Sequence, residues 1–358
     1  MKKFLILISI VIILLIGNII IYNFNIDTEK TFIKPEVFYS SQGKTDFNVV
    51  WCETFTLAWD ELKNYIGNDI EFNDGTPELV QKLNQRNFSK NIISHNDYYT
   101  KVSKLNDKTI KDLKNDIYKE LKNKFKVNQS NFLDNIDISS QNGIFIYTMI
   151  KKQFHFLEDF DNLNQNIFID INGKENRVNF FGINEKSEEK LNQNVEILYF
   201  KNYYSFILKL KTKENEEVIL YKTEDIEKYS LDELYDNVIN LSNSYEGKKE
   251  LEKDDVLLVP YINLNFIVNY DELCNKEIRG TNGIYISNAI QNVDFSLTQS
   301  GGKVDSEAII MTDTLSALPT KTEYYEFNSP FVIFIKENNK DKPYFMAKIL
   351  DTTFLEKD

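Results

Sequence analysis

The segment "DSEAIIMTDTLSALPTKTEYYEFNSPF", residues 305–331, joins the alternation of a β-strand to the composition of a loop. From Val304 to Leu318 every second residue is uncharged, and charged residues fall on the alternate positions. A period of two is typical of a strand with one buried face. The runs Thr-Asp-Thr and Leu-Pro-Thr-Lys-Thr are instead typical of turns and loops. The segment is therefore either a strand or an exposed loop, and the segments on either side of it are needed to distinguish the two.

Clear strands flank this segment on both sides. After it, the apolar runs Phe331–Ile335 and Tyr344–Ile349 are separated by the polar stretch "KENNKDK", which predicts a hairpin. Before it, "GIYISNAIQNVDFSL" (283–297) predicts another strand. The ambiguous segment thus connects two parts of a sheet structure.

The predicted secondary structure changes from helices to strands near the middle of the chain. Helical spacing predicts a first helix over 51–67 with Trp51 on its apolar face, a second after Thr76, and a third over 107–125. From residue 143 onward the pattern predicts strands, with one helix near Ser230, its candidate N-cap. Helices first and mainly antiparallel strands later predict an α+β fold in one domain, residues 46–358.

The amino terminus has a different character. Lys2 and Lys3 precede an apolar run from Phe4 to Tyr22, about the length that spans a bilayer of roughly 30 Å. We expect an uncleaved signal anchor over residues 1–26, a linker over 27–45, and a single-pass protein whose domain faces outside the cell. Secretion after signal cleavage is the alternative, although no small-x-small cleavage site is evident.

Charge and composition exclude several functions. The formal net charge of −13 argues against a nucleic-acid partner, which requires a basic face. The chain has no G-x-S-x-G, H-E-x-x-H or phosphate-binding glycine motif, so we expect neither an enzyme nor a cofactor. With two histidines and two cysteines, a zinc site is not expected. Cys52 and Cys274 are interpreted as unpaired thiols, with one disulfide as the alternative.

The carboxy-terminal motifs resemble those of the serpin family. "SPFVIFI" (329–335) and "YFMAKI" (344–349) are similar to the family's closing hairpin, and "ISNAIQNVDFSLTQSG" (286–301) to the strand before its reactive loop. "DSEAIIMT" (305–312) is similar to the family's hinge, and the length from Asp305 to Pro330 fits its loop. Weaker matches include "TMIKKQFHFLEDFD" (148–161) and "DVLLVPYINLN" (255–265).

The resemblance implies a serpin-like fold with an exposed reactive loop that a serine or cysteine protease cleaves. Insertion of the cleaved loop into a sheet would then trap the protease, and the protein would act as a monomer without cofactors. The hinge and loop residues that the resemblance assigns are Asp305, Ser306, Glu307, Ala308, Ile309, Ile310, Met311, Thr312, Leu315, Leu318, Pro319 and Thr320.

Three departures from the family pattern bear on inhibition. Asp305 replaces the hinge glycine, and residues 301–304 (Gly-Gly-Lys-Val) look like an insertion before it. The bulky Ile309, Ile310 and Met311 replace small alanines, and overpacking on insertion costs about 1–3 kcal/mol. A non-inhibitory serpin-fold binding protein at the cell surface is therefore the alternative function.

The scissile bond has three candidates. The family's spacing from hinge to bond, counted from Asp305, places it near Pro319–Thr320. Proline suits few proteases because it has no N–H and a fixed φ. Leu315–Ser316 and Ala317–Leu318 are chemically easier to cleave.

Overall fold

The computed structural model describes residues 31–33, 47–85, 92–105, 110–126, 143–303 and 323–357. Four α-helices lie in these ranges: α1 (Thr54–Ile66), α2 (Glu78–Gln85), α3 (Ile110–Phe125) and α4 (Leu231–Ser244). The strands are β1 (Thr31–Ile33), β2 (Asn48–Cys52), β3 (Tyr98–Lys104), β4 (Gly143–Ile150), β5 (Gln153–His155), β6 (Asp161–Ile169), β7 (Glu175–Ile183), β8 (Val195–Asn202), β9 (Ser205–Lys211), β10 (Glu216–Lys222), β11 (Val256–Pro260), β12 (Ile262–Asn269), β13 (Tyr285–Thr298), β14 (Gly301–Lys303), β15 (Tyr324–Glu326), β16 (Phe331–Glu337) and β17 (Phe345–Ile349).

The strands form three sheets. The seven-stranded sheet has the order β1-β2-β17-β16-β10-β9-β8, and the four-stranded sheet the order β15-β11-β7-β6. The six-stranded sheet has the order β3-β4-β13-β14-β5, with β12 on the other edge of β13. Three strand pairs are parallel, β1–β2, β4–β13 and β11–β15, and the other pairs are antiparallel. The predicted α+β fold with large, mainly antiparallel sheets is confirmed.

The core lies between these sheets. Phe295 of β13 packs on Phe345 of β17 with ring centroids 4.5 Å apart, which joins the six-stranded to the seven-stranded sheet. Phe206 of β9 and Tyr325 of β15 meet at 5.5 Å and join the seven-stranded to the four-stranded sheet. One continuous apolar cluster therefore holds all three sheets together.

The strand β16 shows why the carboxy-terminal motif is so apolar. Its odd-numbered residues, such as Ile333, face the cluster between the sheets. Its even-numbered residues, such as Phe334, face α4 on the opposite side. A strand buried on both faces needs an uninterrupted apolar run rather than alternation. At the start of α4, the Ser230 side chain and Glu233 form a capping box, as the sequence predicts for the cap.

The first half of the domain differs from its prediction. Trp51 lies in β2 rather than on a helix, and α1 begins only at Thr54. A second strand, β3, lies between α2 and α3. β2 is buried on both faces, so its apolar run has no alternation that would distinguish it from a buried helix.

The membrane predictions are contradicted. Among the residues that the structure describes, no helix is long and apolar enough to cross a membrane. The longest of these, α3, has 16 residues and alternates charged with apolar positions, whereas a span needs about 20 apolar residues. This finding stands against the predicted signal anchor, membrane partner and single-pass location at the cell membrane. Residues 1–26 themselves lie outside the described ranges.

The remaining organisational predictions concern domain boundaries and thiols. The boundaries at residues 26 and 45 stay predictions, because most of residues 27–46 lie outside the description. Of the described strands, β1 lies inside the predicted linker, and it pairs with β2. Cys52 is buried, Cys274 is half-buried, and both are free cysteines. Burial raises the pKa of the Cys52 thiol to about 11, which makes it unreactive at neutral pH.

Candidate functional site

The candidate site is a gap between β4 and β13 in the six-stranded sheet. At their amino-terminal ends the two strands pair in parallel, from Tyr285 opposite Gly143 to Ala289 opposite Ile146. Beyond these pairs, and among the described strands, β4 is bonded only to β3, and β13 only to β12 and, from Ser296 to Thr298, to β14. Between Ile146 and the level of β14, the facing edges of β4 and β13 therefore have no strand partner among the described residues.

The short strand β14 occupies the upper end of this gap. It pairs antiparallel with β13, with Lys303 opposite Ser296 and Gly301 opposite Thr298. On its other side it pairs antiparallel with β5, with Lys303 opposite Gln153 and Gly301 opposite His155. β14 is thus a strand between two others, and it points down into the gap. It also leads directly into residues 304–322.

Two glycines let β14 pass over Phe154. Gly301 has a φ of +140°, which non-glycine residues rarely adopt, and a Cβ there would lie 2.1 Å from the Phe154 carbonyl oxygen. A Cβ on Gly302 would lie 2.2 Å from the ring of Phe154, which is itself buried. The Gly-Gly pair is therefore required for this strand to enter between β5 and β13.

The two faces of the gap differ. On β13 the buried side chains that face the core include Gln291, Val293 and Phe295. On β4 the even-numbered Ile146 and Ile150 face the core. The odd-numbered Phe145 and Tyr147 point to the opposite face, where α3 covers them with Leu113, Ile117 and Leu121. The core thus closes one side of the gap, and α3 covers the lower part of the other side.

The floor of the gap contains a buried polar network centred on Gln291. Its Nε2 donates to the Thr54 hydroxyl at 2.7 Å and to the Cys52 carbonyl oxygen at 3.0 Å. Its Oε1 accepts a hydrogen bond from the Tyr270 hydroxyl at 2.8 Å. Thr148 on β4 is also buried, and its hydroxyl has no hydrogen-bond partner among the described residues. The network fixes β13 to the start of α1 and leaves a polar atom on the β4 side.

A buried charge cluster holds the break between β4 and β5. The ammonium of Lys152, which is 8% exposed, contacts Asp97 at 2.8 Å, Glu216 at 2.6 Å and Glu337 at 2.9 Å. Ser94 donates its backbone N–H and its hydroxyl to Glu337, at 2.8 and 2.6 Å. Lys152 therefore ties the six-stranded sheet to β10 and β16 of the seven-stranded sheet.

The ionisation of this cluster follows from burial and pairing. Burial lowers the pKa of Lys152, but its hydrogen bonds to the three carboxylates outweigh that effect and raise it overall. Burial raises the pKa of Glu216 despite its contact with Lys152. Burial also raises the pKa of Glu337, but the hydrogen bonds from Ser94 and Lys152 bring it below its usual value. The cluster depends on the lysine cation to keep two buried carboxylates charged.

His155 lies at the outer end of the gap. Its Nδ1 is 2.8 Å from a carboxylate oxygen of Glu214, and its backbone N–H donates to the other oxygen at 2.7 Å. Since His155 is opposite Gly301, this contact holds the edge of β5 on which β14 forms.

The hinge and loop residues predicted from the sequence fall outside the described ranges. This holds for Asp305, Ser306, Glu307, Ala308, Ile309, Ile310, Met311, Thr312, Leu315, Leu318, Pro319 and Thr320. Gly301–Lys303, which the sequence comparison with the family interprets as part of an insertion before the hinge, forms the strand β14. Both ends of the loop are described, at β14 and at β15.

Sequence reasoning missed most residues around the gap. Lys152, Glu216 and Glu337 lie on three different strands, and no local pattern predicts their contact. The close approach of Gly143 and Ser287, at the paired ends of β4 and β13, was missed for the same reason. The adjacent glycines Gly301 and Gly302 were the one available signal, because two glycines after an alternating strand indicate a close backbone approach.

Comparisons with known proteins find the fold but no sequence relative. No model of a known protein family matches the chain, and no curated protein does either. Among solved structures, thyroxine-binding globulin in complex with thyroxine matches with 12% identity and a TM-score of 0.52. The match covers 88% of this chain and 94% of that one, and that protein is a serpin. The chain has a serpin fold.

Two further solved structures give lower scores. Human thyroxine-binding globulin in a second crystal structure has 12% identity, covers 88% of this chain and 94% of that one, and has a TM-score of 0.49. Serpin48 of the insect Tenebrio molitor, described as a highly specific serpin, has 11% identity, 88% and 95% coverage, and a TM-score of 0.45. Both scores are too low to support an argument. At these sequence identities, a shared serpin fold does not by itself show a shared activity.

The fold bears on the expectation that the chain is not an enzyme. Thyroxine-binding globulin is named for binding rather than for catalysis. The support for a non-enzyme therefore comes from the fold alone.

Proposed function

We propose that this serpin-fold protein inhibits a serine or cysteine protease by cleavage of its 304–322 loop and insertion of the loop as a strand. The observation that carries the proposal is β14, which already lies between β5 and β13 at the top of an open gap. Insertion would continue this strand rather than create a new one. Such insertion into a sheet is a known form of strand addition.

The register of β14 predicts how far the strand can enter. Continued along β13, it places Ile310 opposite Ala289. Continued from β5 along β4, it places Ile310 opposite Ile146. Ala289 and Ile146 are already paired with each other. The two continuations therefore agree, and residues 304–309 fit the gap before any pair between β4 and β13 has to break.

The same register assigns the faces of the inserting strand. Opposite residues in an antiparallel pair share a face. Val304, Ser306 and Ala308 would be opposite Phe295, Val293 and Gln291, which face the core. Asp305 and Glu307 would point to the other face. The alternation of the sequence thus matches the gap, because no charge enters the core.

The same register predicts where two bulky hinge residues would lie. Ile309 and Met311 would be opposite Tyr147 and Phe145, on the face that α3 covers with apolar side chains. Burial there is favourable, at about 25 cal/mol per Å² of apolar surface. Judged from the sequence alone, the replacement of alanines by bulky residues argues against insertion. For Ile309 and Met311 it is compatible with insertion, because their side chains would pack under α3.

The position of β14 also bears on the scissile bond. Its first residue, Gly301, precedes Asp305 by four positions. The family's hinge-to-bond spacing counted from Gly301 gives Leu315–Ser316 instead of Pro319–Thr320. That bond avoids proline, so it is the one we propose. The target is then a protease that accepts leucine before the cleaved bond.

A binding protein without inhibitory activity is the second candidate. The observation in its favour is the likeness to thyroxine-binding globulin, whose structure contains thyroxine. This candidate predicts cleavage of the loop without any trapped protease.

The test is the formation of a covalent complex. The protein is incubated with chymotrypsin, with pancreatic elastase and with the cysteine protease papain, and each mixture is run on a denaturing gel. We expect a band of the summed mass that resists SDS with at least one protease, and a cut between Leu315 and Ser316. Cleavage in the loop by all three proteases without such a band would contradict inhibition and favour the binding protein.

A further inference from the structure

Three exposed tyrosines form a patch beside the carboxyl end of the loop. Tyr203 and Tyr204 lie at the turn of the β8–β9 hairpin and are 50% and 62% exposed. Tyr324, the first residue of β15, is 44% exposed, and its ring centroid is 6.3 Å from that of Tyr203. We call Tyr203, Tyr204 and Tyr324 the tyrosine patch.

The patch concentrates exposed aromatic surface in one place. Tyr203 and Tyr324 are exposed large apolar residues joined by a ring contact, and those outside the patch that are exposed among the described residues are Tyr65, Ile167, Ile169, Tyr229 and Ile239. Tyrosine and other aromatic residues are enriched at protein interfaces and contribute much of their binding energy. A contact surface explains the patch better than chance does.

The hairpin holds its tyrosines rigidly. The Asn202 side chain accepts a hydrogen bond from the Tyr204 backbone N–H at 2.9 Å, which fixes the turn. Phe200 contacts the Tyr203 ring at 6.3 Å and the Tyr325 ring at 5.3 Å, so the base of the hairpin is packed on β15. A preorganised aromatic surface loses little entropy when it binds.

The place where the loop ends identifies the occupant. The first residue after the 304–322 loop is Glu323, whose backbone N–H donates to Asp255 at 3.1 Å, and Tyr324 follows directly. From Leu315 to Glu323 the chain can extend at most about 27 Å. A protein bound at that bond covers about 800 Å² of its partner, far more than a loop of a few residues offers. The bond lies within that distance of Glu323, which borders the patch, so a protein bound at the bond is close enough to contact the patch.

We infer that the tyrosine patch is a docking surface for the protease that cleaves the 304–322 loop. The inference rests on the proposed function for the identity of the partner. It adds that recognition extends beyond the loop sequence to a fixed aromatic surface on the domain. The patch would therefore raise the rate of cleavage of the intact protein but not of the isolated loop.

The experiment compares cleavage rates of matched variants. Chymotrypsin and pancreatic elastase are used with wild type, with Y203S/Y204S, and with Y65S, which removes an exposed tyrosine of similar exposure (48%) outside the patch. A peptide of residues 304–322 is the substrate without a domain. We expect Y203S/Y204S to lower kcat/KM for loop cleavage about tenfold with at least one protease, while Y65S stays at the wild-type value. Wild type should exceed the peptide by a similar factor.

Three results would overturn the inference. Equal kcat/KM for Y203S/Y204S and wild type with both proteases would show that neither uses the patch. Faster cleavage of the variant would show that the patch binds the loop itself. Loss of a wild-type dimer in sedimentation equilibrium would assign the patch to self-association. Because the readout is cleavage rather than trapping, the inference can hold even where no SDS-resistant complex forms, so its failure is distinguishable from that of inhibition.

Discussion

The upper and lower ends of the β4–β13 boundary are built in opposite ways. At the lower end the strands pair directly, and Gly143 faces Ser287 so closely that a Cβ on the glycine would lie 1.6 Å from the serine hydroxyl oxygen. At the upper end the strands are apart, and β14 lies between β13 and β5. One sheet therefore contains a closed pair and an open gap on the same two strands.

The difference shows what each end has to do. A direct backbone pair with a close glycine contact holds the sheet shut, whereas the open edges above it can accept a strand of the right alternation. The Lys152 cluster supports the upper end, because it fixes the break between β4 and β5 to the neighbouring sheet. Under the proposed function, insertion of Ile310 and the residues after it would require the lower pair to open.

The largest expected effect concerns the support of the upper end. Replacement of Lys152 by methionine leaves Glu216 and Glu337 buried without a cation, at 5% and 1% exposure. Breaking a buried pair in this way costs about 3–5 kcal/mol. We expect a loss of that size in the free energy of unfolding from urea denaturation at pH 8. Lys209→Met, at the half-exposed contact with Glu196, is the control and should lose under about 1 kcal/mol.

The pH dependence of K152M separates lost charge from lost packing. Without the cation, the folded-state pKa of the buried carboxylates rises above the unfolded value. The destabilisation is then complete above that raised pKa and diminishes as the pH falls through it. We expect a smaller loss at pH 5 than at pH 8. An equal loss at both pH values would show that the cluster acts through packing alone.

A smaller effect is expected at the lower end. Gly143→Ala places a methyl group against Ser287 and the Tyr285 carbonyl oxygen, and such overpacking costs about 1–3 kcal/mol. Because the strain falls on the closed pair, we expect G143A to be less stable than wild type. We also expect it to convert faster, without cleavage, to a form that unfolds at a higher temperature. Differential scanning calorimetry after timed incubation measures both.

The partner residue provides the control for this variant. Ser287→Gly removes the side chain that the new methyl group meets. G143A/S287G should therefore regain much of the stability that G143A loses. If the double variant is no more stable than G143A, the contact between residues 143 and 287 is not what holds the lower end closed.

The sequence predicts the sheet framework well but not the gap. The hairpin of β16 and β17 and the strand β13 follow from uninterrupted or alternating apolar runs, which are local signals. The uncharged even-numbered positions from 304 onward are also a local signal, and the proposed continuation of β14 would place them on the face toward the core. By contrast, the last two residues of β2, Trp51 and Cys52, were interpreted as part of a helix, because a short strand buried on both faces has no alternation.

The contacts that make the candidate site are long-range. Lys152 meets Glu337 across 185 positions, and Gln291 meets Thr54 across 237. No spacing in the sequence reports such pairs, since they depend on how three sheets stack. The role of Gly301 and Gly302 in β14 could not be predicted for a related reason, because it depends on Phe154, which is on a different strand.

The most direct test of the account is the heat stability of the protein before and after the loop is cut. Limited proteolysis between residues 312 and 322 is followed by calorimetry of the intact and nicked forms. In S306E/E307S the same carboxylate moves from the outward face to the face opposite Val293, with no change in composition. The account predicts that nicking raises the Tm of wild type, and that nicked S306E/E307S gains little, because a buried unpaired charge is strongly unfavourable. An unchanged or lower Tm for nicked wild type would contradict strand insertion into the gap.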